Sequence, residues 1–223
     1  MGYSSFRDWL DRRVVALQLR LSEERDIYGL RVVVTTDLED ADVPFAFARV
    51  EQALGLIAKY DPLRLSRMRR DLKFIWVRRH PMCRASHNRT LGACQIDLYN
   101  FVVSPEFTPA QIAASIVHEA THARLASAGI RYSDEAGMRI ERICKKAELR
   151  FGLRLPRDGE AVVERAMRLL VAHDEGLARA FTRAELAEIE RRKREAMLEH
   201  MDLPGWAKSL IRWRRRYRLP GAA

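Results

Sequence analysis

The octapeptide Ile116–Ala123, "IVHEATHA", places His118 and His122 four residues apart with Glu119 directly after the first. On an α-helix, positions i and i+4 lie one above the other, so the two imidazoles would converge on one point. That geometry suits two ligands of a tetrahedral zinc. Glu119, one position round from the first histidine, would reach the water of such an ion rather than the ion itself. There it would act as general base on a water whose pKa zinc has lowered towards about 7.

The local sequence supplies a helix to carry these residues. Thr108 is placed to cap it, Pro109 suits the first helical position, and Gln111 completes a capping box. The helix should run to about Ala126, with Gly129 ending it. Ile112, Ala113, Ile116, Val117, Ala120 and Leu125 form an apolar stripe beside the histidines, which marks a core helix. Two histidines and a glutamate in that setting are costly without a partner. A lone histidine would be read as a hydrogen-bonded core or surface residue; the triplet points to a metal.

A catalytic zinc keeps three protein ligands and one open position. The next helix, expected from Ser133 or Asp134 to about Phe151, offers Glu135, Glu141 and Glu148. Ala136, Ile140, Ile143, Ala147 and Phe151 form its apolar stripe, and Glu135 falls on the opposite face with Arg139, Arg142 and Lys146. Glu141 lies on the flank in line with Gly137, Cys144 and Glu148, and Gly137 would let the two helices approach. Glu141 is therefore the expected third ligand. Glu148, about 10 Å further along, is the alternative ligand or a partner that orients one of the imidazoles.

On His118, Glu119, His122 and Glu141 the chain resembles the zincin metallopeptidases, most nearly their gluzincin branch. "IVHEATHARL" followed by "RIERICKKAE" is also similar to minimal, uncharacterised bacterial proteins classed as metallopeptidases. The resemblance covers about residues 72–151. It implies a zincin-like fold, a bound Zn²⁺, and an edge strand before the active-site helix that pairs with an extended substrate; "CQIDLYN" is in place to be that strand. Thermolysin-like members carry an aspartate where this chain has Lys145, so Asp97 or Glu148 would have to orient the imidazole. The resemblance also calls for an oxyanion donor, for which Tyr132 and Tyr99 are the candidates.

The remaining elements must hold these helices. Phe6 to Glu24 has helical spacing, "YGLRVVVTTD" reads as a strand, and Pro44 to Tyr60 is helical up to Asp61-Pro62. "LKFIWVRR" and "CQIDLYNFVV" are two further strands, separated by a polar connection from His80 to Gly92. Helices near Glu160–His173 and Arg183–Met201 complete the chain before the tail. The expected class is α+β: a small mixed sheet of about three strands packed on the HExxH helix and its successor, with a helical C-terminal extension. Expected boundaries are 1–157 for a zincin-like domain, 158–203 for helices packed on it, and 204–223 for a basic amphipathic tail.

Composition narrows the classes. A hydrophobic content of 48% in 223 residues can bury a core. Asp8, Asp11, Arg12 and Arg13 interrupt the segment a signal peptide would need, and no later run approaches the roughly 20 apolar residues of a membrane span. Cys83, Cys94 and Cys144 do not make a disulfide framework, so a cytoplasmic location is expected. His80, Cys83, His87 and Cys94 lie close in sequence but lack the tight pairs of zinc fingers, and a loop is expected there. Of the net charge of +10, Lys208, Arg212, Arg214, Arg215, Arg216 and Arg218 fall in the tail. With Trp206, Leu210, Trp213 and Tyr217 at helical spacing, residues 205–218 suit an anionic membrane surface or nucleic acid, or a terminal helix docked on the core.

The expected function is zinc-dependent hydrolysis of a protein or peptide substrate, with His118, His122 and Glu141 holding the metal and Glu119 activating water. The rival is a non-catalytic, zinc-stabilised regulatory or binding protein that acts through its basic tail. Substrate identity and oligomeric state are not encoded in any motif.

Overall fold

A computed structural model describes residues 13, 15–35, 42–80, 83–130, 134–156, 159–174, 204–206 and 208–209. The chain divides into two compact units, 1–178 and 179–223, and the sheet lies within the first. The expected helix over Arg183–Met201 lies outside the described residues, as does most of the basic tail.

Three apolar segments make the centre of the sheet. They are β2 (Leu30–Val34), β3 (Phe74–Arg78) and β5 (Ala93–Asp97), which run parallel to one another in the order β2-β3-β5. Such strands are buried on both faces, which accounts for their near-continuous apolar runs. Alternate side chains separate into two clusters. Val32, Val34, Ile75, Val77, Cys94 and Ile96 face the main core, while Val33, Phe74, Trp76 and Ala93 face a second layer that includes Val15 and Leu19. Trp76 is wholly buried there and donates its indole N–H to Thr35 Oγ1 at 2.7 Å.

Two polar strands flank this centre, so the α+β sheet has five strands, not three, in the order β1-β2-β3-β5-β4. β1 (Glu23–Ile27) pairs antiparallel with β2 through a two-residue turn in which Tyr28 (φ 55°) and Gly29 (φ 72°) are both left-handed. This turn geometry matches the twist of a hairpin. The expected first helix therefore ends before Glu24; its start, 1–12, lies outside the described residues. β4 (Ala85–Asn88) pairs antiparallel with β5 inside what the sequence presents as a plain connection. Neither strand carries an apolar alternation, because each is held by backbone pairing at a sheet edge.

β5 also ends sooner than expected. From Leu98 to Val102 the backbone forms a π-helical turn, capped by Asp97, whose Oδ1 accepts from the Asn100 N–H at 2.5 Å. The turn sends Leu98, Phe101 and Val102 into the core, a job that a continuing strand would split between two faces.

Helices α1 (Asp42–Tyr60) and α2 (Pro62–Asp71) cover the main core. Asp61-Pro62 ends the first as expected and also starts the second: Asp61 is its N-cap and Pro62 its first residue. Buried Asp61 also pairs with Arg64 at 2.8 Å and with Arg154 at 2.9 Å. From α1, Arg49 donates to the carbonyls of Val102 and Phe107 and so ties down the segment that leads into the next helix. Helices α3 (Pro109–Ser127), α4 (Asp134–Gly152) and α5 (Gly159–Asp174) complete the unit. Among the described residues no helix is long and apolar enough to cross a membrane.

Candidate metal centre

α3 is the axis of the site. Thr108 Oγ1 accepts from the Gln111 N–H, and Gln111 Oε1 accepts from the Thr108 N–H at 2.9 Å, so the expected capping box is present. At the other end Gly129, at φ 79°, lets its N–H reach the Ala126 carbonyl and the Ile130 N–H reach that of Leu125, a Schellman closure. Between these caps the helix is buried on nearly every side, from Ile112 to Ala123, with His118 and Glu119 each only 7% exposed. Thr108→Ala should cost about 1 kcal/mol in urea unfolding, because it removes an acceptor for the Gln111 N–H.

α4 lies against α3, rotated slightly from its expected phase. Ile143, expected in the apolar stripe, is exposed, and Cys144 is wholly buried in its place. The buried line runs Gly137, Ile140, Cys144, Ala147, Glu148 and Phe151. This rotation turns the Glu141 flank towards the histidines, while Arg139, Arg142 and Lys146 stay exposed as expected. The side chain of Glu135 lies outside the described residues.

The two imidazoles and the Glu141 carboxylate form a tight triangle. His118 Nε2 and His122 Nε2 are 3.2 Å apart, His122 Nε2 is 3.2 Å from Glu141 Oε1, and His118 Nε2 is 3.3 Å from Glu141 Oε2. Tetrahedral ligands held at typical zinc distances stand about 3.3 Å apart, so these separations, which end on the two different oxygens of Glu141, suit donors around a single small ion. Buried His118 Nδ1 makes no hydrogen bond among the described residues; Glu148 Oε2 lies 3.4 Å from it and is held at 2.6 Å by Lys145 Nζ. Glu148 is thus the carboxylate that stands beside His118 Nδ1. Asp97, the other candidate for orienting the imidazole, is committed elsewhere, accepting from the His80 and Asn100 N–H groups.

Cys144, which in the sequence only marks a helix flank, joins the cluster. Its Sγ and the nitrogens of His118 and His122 lie within 4.8 Å of one another, a group that could hold a metal ion. Its spacing of three residues from Glu141 is the signal that points to it. The Glu141 oxygens also lie within that limit, at 3.2 Å from His122 Nε2 and 3.3 Å from His118 Nε2. Burial and the charge of Glu141 push the Cys144 thiol well up, which keeps it protonated.

Electrostatics set the protonation of each partner. Burial disfavours a charged His118, but the carboxylates of Glu141 and Glu148 override it and raise its pKa to about 9. Burial would raise Glu141 too; the hydrogen bonds from His118 and His122 win and hold its carboxyl below the usual range. Glu119 goes the other way. Burial lifts its pKa, and the two histidines offset this only in part. A carboxylate raised towards neutrality is suited to taking up a proton.

The cluster opens onto a cavity of about 520 Å³, lined on one side by Leu125, Ala126, Ile130 and Ile140 and on another by residues 83–87 and Arg89. His87 on β4 lines it, with its pKa lowered to about 4 by burial and then by His122 and Arg89, so it is a neutral imidazole. The strand beside this cavity is β4, not β5: β5 is interior, paired on both sides. "CQIDLYN" therefore does not supply the open edge, because its hydrogen bonds are taken. Tyr132 lies outside the described residues. Tyr99 lines a different cavity, with His80, Cys83 and Asp97. Among the described residues His80, Cys83, His87 and Cys94 form no metal-holding group; His87 and Cys94 are cross-strand partners.

No protein-family model, curated protein or solved structure matches the chain. The site is defined by its own geometry: an α+β protein with a buried histidine-rich cluster able to hold a metal ion.

Proposed function

We propose that the chain is a zinc-dependent hydrolase of zincin-like fold that cleaves peptide bonds. The observation that carries this reading is the triangle of 3.2, 3.2 and 3.3 Å edges made by His118, His122 and Glu141, with Glu119 buried on the same helix. Nitrogen and carboxylate donors at these separations fit zinc. When bound, zinc lowers the pKa of a water towards about 7 and polarises a carbonyl. His118, His122 and Glu141 would hold the ion, and Glu148 would orient the His118 ring. Glu119 would take a proton from that water and deliver it to the leaving amine. Such transfer by a placed carboxylate contributes about 10² to 10⁴ in rate.

An extended substrate has a natural partner in β4. It is the terminal strand of the sheet order and lines the cavity that holds the histidines. Its outer backbone groups can pair with a peptide.

Metal analysis of the full-length protein tests the proposal, with cleavage of an unfolded protein such as casein as the second readout. One zinc per chain is expected, with cleavage abolished by a chelator and restored by added zinc. A protein that binds no zinc, or one that cleaves equally after chelation, overturns the reading.

A further inference from the structure

The arginines that line the cavity have no ion-paired acid among the described residues. Arg84, Arg89 and Arg165 all reach it, and among the described residues none makes a hydrogen bond or ion pair with a carboxylate. Elsewhere Arg31, Arg64, Arg70, Arg154 and Arg168 each pair with an acid. The acids that line the same cavity, Glu119, Glu141 and Glu148, are gathered at the imidazoles and at Lys145.

Two of these arginines feel each other's charge. Arg84 immediately precedes β4, and its guanidinium lies 4.2 Å over the Phe107 ring, which fixes its direction. Arg165 approaches from α5. The two charges repel each other: burial first, and then Arg165, lowers the Arg84 pKa, with Glu106 opposing. Like charges held together beside a reactive cleft are relieved by an anion between them, and guanidinium groups match the planar carboxylate. Arg89 sits at the other end of β4, about 17 Å away along the strand.

We infer that Arg84 and Arg165 form a carboxylate subsite at the start of β4, so that the cleft selects peptides bearing an acidic group at that end. The selection of a peptide rests on the hydrolase reading; the carboxylate subsite does not. The carboxylate comes from an Asp or Glu side chain or from the end of the peptide chain.

The test uses full-length, zinc-loaded Glu119→Gln, which binds without turnover. The probes are labelled ten-residue peptides of Ala, Ser and Leu with a single Glu walked along the chain. Each has a Gln counterpart, and each is made with a free and an amidated C-terminus. At one register the Glu peptide should bind at least about 10-fold more tightly than its Gln twin, as expected for charge-assisted hydrogen bonds. Added Arg84→Gln and Arg165→Gln should erase that difference and leave the Gln peptide within about twofold, which also shows the fold intact. Independently of any substitution, raising the salt should weaken only the acidic peptide. If free termini bind better than amides and internal Glu makes no difference, the carboxylate is the chain end.

Equal binding of Glu and Gln peptides with no effect of the terminus, a preference that survives the double substitution, or no peptide binding at all overturns the subsite. Cleavage by the unsubstituted enzyme is read separately. Charge-selective binding with no cleavage removes the hydrolase reading and leaves the subsite, and cleavage with no charge selectivity does the reverse.

Discussion

Glu119→Gln should leave one zinc per chain and lower kcat by about 10² to 10⁴. The side chain is not a ligand in the proposed site, since the triangle of close donors is made by His118, His122 and Glu141. Gln has nearly the same shape and fits the same buried place on α3. It cannot accept a proton, so the step that depends on the carboxylate fails while the metal stays. Stability should not fall. Burial already penalises the charged form of Glu119, and a neutral amide there escapes that cost. Activity within a few-fold of the unsubstituted enzyme would remove Glu119 as the base.

The second large effect falls on metal affinity. Glu141→Ala should weaken zinc binding by more than about 100-fold, beyond the 10- to 100-fold range seen when a residue that merely orients a ligand is lost. Glu148→Ala should fall within that range, since its carboxylate stands 3.4 Å from His118 Nδ1 rather than at the shared point. Cys144→Ser should have the smallest effect. The thiol is raised in pKa by burial and by Glu141, and a donor that must lose its proton to bind works against that shift. The order Glu141, Glu148, Cys144 is measured by competition with a zinc chelator of known affinity. Cobalt substitution gives a second view, because thiolate ligation adds an intense near-ultraviolet band that carboxylate ligation lacks. If that band is present, and Cys144→Ser loses zinc while Glu141→Ala keeps it, the donor set is two histidines and a thiolate.

Legibility in the sequence differs from element to element. The α3 segment is plain in it, with the capping box at Thr108 and Gln111, the end at Gly129 and the paired histidines. Each of those features depends on residues within a few positions of one another. The C-terminal end of α4 is legible to within one residue, Gly152 against the expected Phe151, but its phase is not. Ile143 is a stronger apolar signal than Cys144, yet packing exposes the isoleucine and buries the cysteine. Apolarity alone does not say which of two neighbouring residues faces the partner helix.

β1 and β4 escape a sequence reading for a different reason. Their side chains are largely polar, and their order comes from hydrogen bonds to β2 and β5, which only the folded chain brings into register. Without β4, the open edge of the sheet falls on the wrong strand. Its absence also leaves His87 in a loop and hides Arg84 and Arg89 as the residues that bracket the strand beside the cavity.

By itself the sequence determined the chemistry on offer: two histidines at helical spacing, a glutamate between them, caps that hold the helix, and a following helix with glutamates on one flank. Those are short-range facts, settled by the pitch of the α-helix and by local hydrogen bonds. The tertiary structure decided which glutamate closes the triangle, that a cysteine stands within reach of it, and which strand is open beside the cavity. Each of those depends on how separate elements rotate and pair once they are packed, and a core selects that arrangement by fit among distant residues.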